Sequence, residues 1–431
     1  MLLHLLLEHE YMLGIKTFFK YCIRRQFLMY VVIGGMIMGL YSCKKEIPKR
    51  ELLSNYEVND FTELFNVFWQ GMNSNYLFWD KETVNWDNMY REYKPKFDSL
   101  NMRPYSDTTM NICFQYMVDM TKDLKDGQYA LQLWNGGDFR FEDSLYKSYI
   151  SFIPKLFRAQ KVRDALPDTL FDYIIQYNYL KDFDYGINRN YNTNQIFQII
   201  TGRITKGVKD ILYTSLNLFA MKEAYDAPNP SRPPRPVIKN FFNNIQRSNC
   251  DGVIIDLRNN RGGNLEDVNF LVGQFTSKPV LFGYARYKSG VGRLDYTPPL
   301  ALNITPQTGA TDFKKPIVIL TDIFSAALSE TVIQAFKGLP DVKVMVIGEH
   351  TYGTSGMFTG NDISTNGGTF GMGSFGAVRI SNTAIQDKDH NFNFSGISPD
   401  IEIKYNAASI QEMRRTGIDI QLEKAIQYLN Q

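Results

Sequence analysis

Two stretches constrain this chain more than anything else in it: residues 251–264, DGVIIDLRNNRGGN, and residues 321–330, TDIFSAALSE. Each follows an apolar run that ends in a polar turn. Val253-Ile254-Ile255 and Ile317-Val318-Ile319-Leu320 are rich in β-branched residues and bounded by turn formers, the pattern of buried strands. The first run leads into Gly262-Gly263, the second into an Ala/Ser-rich segment that reads as a helix start, and a third strand is expected over 342–347. Strand–turn–helix units of this kind bring their turns to one rim of a sheet, where α/β proteins build their sites.

With 431 residues the chain is long enough for a large core and two or three domains. Its 47 Lys and Arg nearly balance 45 Asp and Glu, and no basic tract is interleaved with aromatics, so nucleic acid is not an expected partner. Residues 1–43 stand apart. Lys16, Lys20, Arg24 and Arg25 precede an apolar run over 27–40, and Leu40-Tyr41-Ser42-Cys43 then reads as a lipobox with Cys43 as the lipidated residue. That run of about 14 residues is short against the roughly 20 that span a bilayer as a helix, which favours a signal peptide; an uncleaved anchor helix is the alternative. Acylation of Cys43 would place the mature protein in the cell envelope, on the periplasmic or outer-membrane side, with 44–58 as a polar tether. Cys113 and Cys250 sit in apolar patterns and read as packed thiols; without a CxxC or a His/Cys cluster, no metal or cofactor is expected.

Residues 59–134 read as a helical subdomain. Phe61, Leu64, Phe65, Phe68 and Trp69 fall on one helical face, an aromatic helical region with Trp79, Trp86 and Tyr90 runs to Leu100, and a further amphipathic helix covers 111–124. The turn Asp126-Gly127-Gln128 follows, with a strand to Leu133. Residues 135–247 form a β-rich middle region, with strands expected over 170–179, 195–204 and 212–218, an extended Pro-rich connector over 227–236 and a short helix over 238–245. No peptide-binding PDZ pattern is evident there. The core, 248–405, adds helices over 265–275 and 326–337, a hairpin within 277–305, a loop over 348–356 and a polar loop over 387–394. The C-terminal part, 406–431, reads as one closing helix over 410–429. The Gly-rich stretch 366–376, NGGTFGMGSFG, lacks the order of a phosphate loop and suits a Gly-spaced hairpin.

Four strings, IIDLRNNRGG, VIL-TD-x-x-SA, GEHTYGTSG at 348–356 and GISPDIEI at 396–403, occur in the order found in the tail-specific, or C-terminal processing, serine peptidases. The chain resembles that family and its tricorn-core relatives over roughly residues 60–405, and its aromatic N-terminal helices resemble the family's bacterial lipoprotein branch. The resemblance implies an α/β fold: a peptidase core of the crotonase-like β-α-β type, with an N-terminal helical subdomain and a β-rich middle region. It also implies peptide or unfolded protein segments as partners, with the membrane reached through a lipid on Cys43.

The resemblance further implies where the chemistry should lie. Peptide hydrolysis by this route needs a hydroxyl nucleophile, a base within reach and N–H donors for the oxyanion. The donors correspond to the backbone of Gly262, Gly263 and Leu328. The nucleophile position corresponds to Ala327, the histidine base of the tricorn-like branch to Gln128, the lysine base of the processing branch to Thr354, and the third polar member to Asn393. Each position lacks the reactive group, so the expectation is a peptidase fold that binds peptide without cutting it. Two alternatives stay open: an active endopeptidase with a rearranged site using Ser325 or Ser329 and His350, and a surface-assembly protein presenting Trp69, Trp79 and Trp86. Arg258 and Arg261 flank the glycine turn; Arg258 is expected to brace it against Asp256, and Arg261 could equally meet a peptide carboxylate.

Overall fold

The central sheet explains why the two apolar runs are unbroken. In a computed structural model, which describes residues 58–134, 149–153, 168–190, 195–227, 234–358 and 367–431, seven strands hydrogen-bond in the order Ile401–Glu402, Val344–Gly348, Ile317–Thr321, Gly252–Asp256, Ile211–Leu216, Gln195–Ile204, Leu180–Asn190. The first five run parallel, and the last two add antiparallel. Alternate residues serve opposite faces. Val253, Ile255, Ile317, Ile319 and Val346 join one core with Phe241, Leu271 and Phe336, whereas Ile254, Val318, Leu320 and Ile347 join another with Leu422, Ile426 and Leu429. A parallel sheet covered by helices on both faces needs apolar residues at every position, and these strands supply them.

Two four-stranded antiparallel sheets flank this layer. One joins Gly356–Met357, Thr383–Asp387, Val280–Arg286 and Leu300–Ile304; the other joins Phe370–Gly371, Gly376–Arg379, Ala130–Trp134 and Tyr149–Phe152. In the second, Phe370 pairs with Val378 across the Gly-rich stretch, which is therefore a hairpin. That sheet packs on the helices Phe61–Asn75, Trp86–Leu100 and Asp107–Thr121, capped by Asp60, Asn85 and Ser106. Their aromatics are the core of this layer. Trp69 and Trp86 exchange indole N–H bonds to each other's carbonyls at 3.0 and 3.1 Å, and Trp79 and Trp86 are buried, so the tryptophans do not form an exposed patch.

Several boundaries differ from expectation. Residues 170–179 are not a strand but part of the helix Asp168–Asn178, with Ile174 and Ile175 inward and Tyr173 and Tyr177 outward; a short apolar run with β-branched residues does not by itself distinguish the two. The closing helix is two, Ala407–Thr416 and Ile420–Leu429, because Gly417 terminates the first in the left-handed region (φ 70°) and Asp419 caps the second. The helix after the Pro-rich segment begins earlier than expected, at Pro234, where a first-turn proline loses no helical bond. The seven-stranded sheet runs across the boundary placed at residue 247, so the middle strands and the core share one layer. Cys43, the leader 1–43 and the tether up to residue 57 lie outside the described residues. Among the described residues, no helix is long and apolar enough to cross a membrane, and no cluster of His, Cys, Asp and Glu could hold a metal ion.

Candidate active site

The turns following Gly252–Asp256, Ile317–Thr321 and Val344–Gly348 meet at the carboxyl end of the parallel strands. Three buried side chains bind them together. Asp322 accepts hydrogen bonds from the Asn259 and Phe324 N–H groups at 2.9 and 3.0 Å. Asn260 donates to the Leu216 carbonyl at 2.8 Å, and its side-chain oxygen accepts from the Gly262 N–H at 2.9 Å. Glu330 accepts four bonds: from the Thr351 hydroxyl (2.6 Å) and from the N–H groups of Gly353 (2.7 Å), Thr354 (2.8 Å) and Ala327 (3.2 Å). A carboxylate in the first turn of the helix Leu328–Lys337 also meets the favourable end of its dipole. The sequence pattern singles out none of the three. Their signal, polar residues at the ends of apolar runs, is shared with ordinary turn formers.

Ala327 has φ 52° and ψ −113°, a conformation that glycine adopts and that strains an alanine. Sharp strained turns between a strand and a helix are how some hydrolases project a nucleophile. Here the turn ends in a methyl group. Gly262 (φ 100°) lies against it, and Gly263 (φ 149°) lies against the Phe219 backbone. A Cβ at Gly262 would come within 2.8 Å of both the Ala327 Cβ and the Leu328 nitrogen, and one at Gly263 within 2.1 Å of the Phe219 carbonyl oxygen. Only glycine allows this approach. Of the three expected donors, Gly262 is a correction: its N–H is spent on Asn260. Among the described residues, the N–H groups of Gly263 and Leu328 have no acceptor.

The remaining positions gather around this turn. The Thr354 hydroxyl accepts from the Ala327 N–H at 2.9 Å, and the Thr354 Cα would lie 2.9 Å from a Cβ at Gly127. Gln128 lines a cavity of about 210 Å³ together with Thr354, Ala326, Arg261 and Arg379. On the other side, Ala327, Asn393, Glu330 and Ser355 line a crevice of about 10 Å³, room for roughly one water. Asp126 holds the Gln128 turn in place: its carboxylate accepts from the Gln128 N–H (2.9 Å), the Ser381 N–H (2.9 Å) and the Ser381 hydroxyl (2.7 Å). Burial pushes the Asp126 carboxyl above the usual range, and the bonds from Ser381 and Gln128 work against that.

The fallback residues are elsewhere engaged, which corrects the rearranged-site expectation. Ser325 is fully buried, donates to the Leu257 carbonyl at 2.8 Å and accepts from the Asp322 N–H at 3.0 Å. Ser329, equally buried, binds the Asn260 carbonyl at 2.7 Å. Each hydroxyl is held within the turns by the carbonyl it binds, Leu257 for Ser325 and Asn260 for Ser329. His350 places Nδ1 2.9 Å from the Thr351 carbonyl oxygen and lines neither cavity. Ser355, which sequence reasoning missed, is 9 % exposed at φ 43°, and its hydroxyl has no partner among the described residues. Glu330 is the carboxylate beside it in the crevice, and both its oxygens are already occupied.

Residues 213–403 match the family model of peptidase family S41. Over that segment the chain is similar to the family. Its fold is similar to that of a candidate peptidase from Parabacteroides merdae at 20 % identity, with a TM-score of 0.59 over 86 % of this chain and 97 % of that one. It is also similar to mature CPAF bound to lactacystin (11 % identity, TM-score 0.52, 86 % and 97 % covered) and to mature CPAF alone (12 %, 0.51, 82 % and 94 %). The expected α/β peptidase fold with its helical N-terminal region is the one observed. Within this S41 core, Arg258 is the expected brace. It pairs with Asp256 at 2.5 Å and Asp419 at 2.8 Å and donates to the Tyr405 hydroxyl and Gln421. Burial alone would lower its pKa, but the two carboxylates outweigh it and hold the guanidinium charged.

Proposed function

We propose that this S41 protein binds an extended peptide or unfolded protein segment and does not hydrolyse it. One observation carries the reading: the strained turn that would project a nucleophile is kept, with φ 52° and ψ −113°, at a residue whose side chain is a methyl group. A strained alanine costs about 1–3 kcal/mol without any chemical return. The free N–H groups of Gly263 and Leu328 suit a peptide carbonyl, and Gln128, which lines the cavity with Thr354, cannot accept a proton at neutral pH. Loss of one triad member lowers hydrolysis roughly 10⁴- to 10⁶-fold. Fluorophosphonate labelling with peptide mapping tests this directly. The wild-type chain should remain unlabelled, and Ala327→Ser with Gln128→His should gain labelling. Modification of wild-type Ser325, Ser329 or Ser355 would sink the reading.

The same proposal places the protein in the cell envelope, tethered through a lipid on Cys43. It is supported by the basic, apolar and Leu-Tyr-Ser-Cys order of the N-terminal sequence. Cells fed a clickable fatty acid should label the wild-type chain and not Cys43→Ala; equal labelling of both would remove the anchor from the proposal.

A further inference from the structure

The 210 Å³ cavity beside Ala327 carries two arginines from different parts of the fold. Arg261 comes from the turn after Gly252–Asp256 and lies over the Phe324 ring, its guanidinium carbon 5.6 Å from the centroid. Arg379 ends the strand Gly376–Arg379, where it pairs with Ala130, two residues beyond Gln128. Among the described residues, neither has a carboxylate within ion-pair distance, although Arg258, three residues from Arg261, has two. Arg379 retains exposed surface, yet the protein around it desolvates its guanidinium and lowers its pKa, against the pull of Asp126. Asp126 acts on it only at longer range; its carboxylate accepts from Ser381 and Gln128.

From this we infer that the cavity is a carboxylate subsite: Arg261 and Arg379 together receive one carboxylate of the bound peptide. Guanidinium groups bind carboxylates through two parallel N–H bonds, and such charge-assisted bonds are stronger than neutral ones. The volume supports a small group. It is below the roughly 300–1,000 Å³ of sites for drug-sized ligands and accommodates one residue's end, either a chain terminus or an Asp or Glu side chain. Phe324 and Tyr352 supply apolar wall beside the charges. The inference rests on the peptide-binding reading above and adds to it the chemistry of what is bound.

Fluorescent degenerate peptide pools of one length test it by fluorescence polarisation. Three pools are compared on the full chain: free C-terminal acid with internal Gln, C-terminal amide with internal Glu, and C-terminal amide with internal Gln. The carboxylate-free pool should bind at least tenfold more weakly than one of the other two. Preference for the first pool assigns the carboxylate to a chain terminus, preference for the second to an acidic side chain. In Arg261→Gln with Arg379→Gln the three pools should become equivalent, with an unchanged melting temperature showing that the variant is folded. Should the variant not fold, the wild-type preference must still weaken as salt rises from 50 to 500 mM. Equal binding of all three pools by the wild type overturns the subsite and leaves peptide binding standing. Binding of none overturns both.

Discussion

Arg258 and Arg261 lie three residues apart in one turn and end in opposite environments. The floor beneath the turn is closed. Arg258 is buried with Asp256 and Asp419, and Asn260, Asp322 and Glu330 spend their side-chain oxygens on surrounding donors. The face above the turn is open: among the described residues, Arg261 and Arg379 line a cavity without a partner carboxylate, and the N–H groups of Gly263 and Leu328 have no acceptor. The floor holds a strained geometry in place, and the face offers charge and donors to something else. A buried polar group left without a partner is costly, so a closed floor is what stability demands; the arginines lining the cavity are tolerated unpaired because water or a ligand can reach them.

This contrast can be broken most sharply by truncating each arginine. Arg258→Ala strands two buried carboxylates and should cost about 3–5 kcal/mol in urea unfolding, whereas Arg261→Ala should stay within about 0.5 kcal/mol. Equal losses would mean that the face is as structural as the floor.

Asp267 sharpens the comparison through pH. It is buried behind the glycine turn, accepts from the Met221 and Lys222 N–H groups at 2.6 and 2.9 Å, and burial pushes its pKa up to about 7. An unfolded Asp ionises near pH 3.9, so between about pH 4 and about pH 7 the folded chain holds a proton that the unfolded chain has lost. Stability should therefore fall as pH rises through that window, by at most roughly 4 kcal/mol. Urea midpoints at pH 4.5 and 8 should differ for the wild type and converge in Asp267→Asn. A wild type that gains stability over this range would contradict the burial argument.

The smallest effect concerns the strained turn. Ala327→Gly removes a left-handed alanine, a gain of about 1–3 kcal/mol, partly offset by about 0.4–1 kcal/mol of added unfolded-chain freedom. A net stabilisation of about 1 kcal/mol in a thermal melt is expected; a loss would show that the Ala327 methyl packs more tightly than its half-exposed position indicates.

Much of this was legible in the chain's one-dimensional pattern. Val253–Ile255 and Ile317–Leu320 read as buried strands from their β-branched residues and the turn formers that bound them, and the order of the four strings carried the resemblance to the family. The helix Asp168–Asn178 was not legible, because a short apolar run has no decisive period. Gly417 was a visible helix stop whose consequence, two closing helices, emerged only in the folded chain. Among the serines, residue type was uninformative: Ser325 and Ser329 are locked by carbonyls about 68 residues away in sequence, and Ser355 is not.

The sequence by itself determined the layered α/β core and the absence of a hydroxyl at residue 327, because both follow from residue type and periodicity. Tertiary structure decided which N–H groups remain free, which arginine is paired and that Arg379 shares a cavity with Arg261. Those properties depend on partners brought together from distant segments, and local pattern carries no information about such distances.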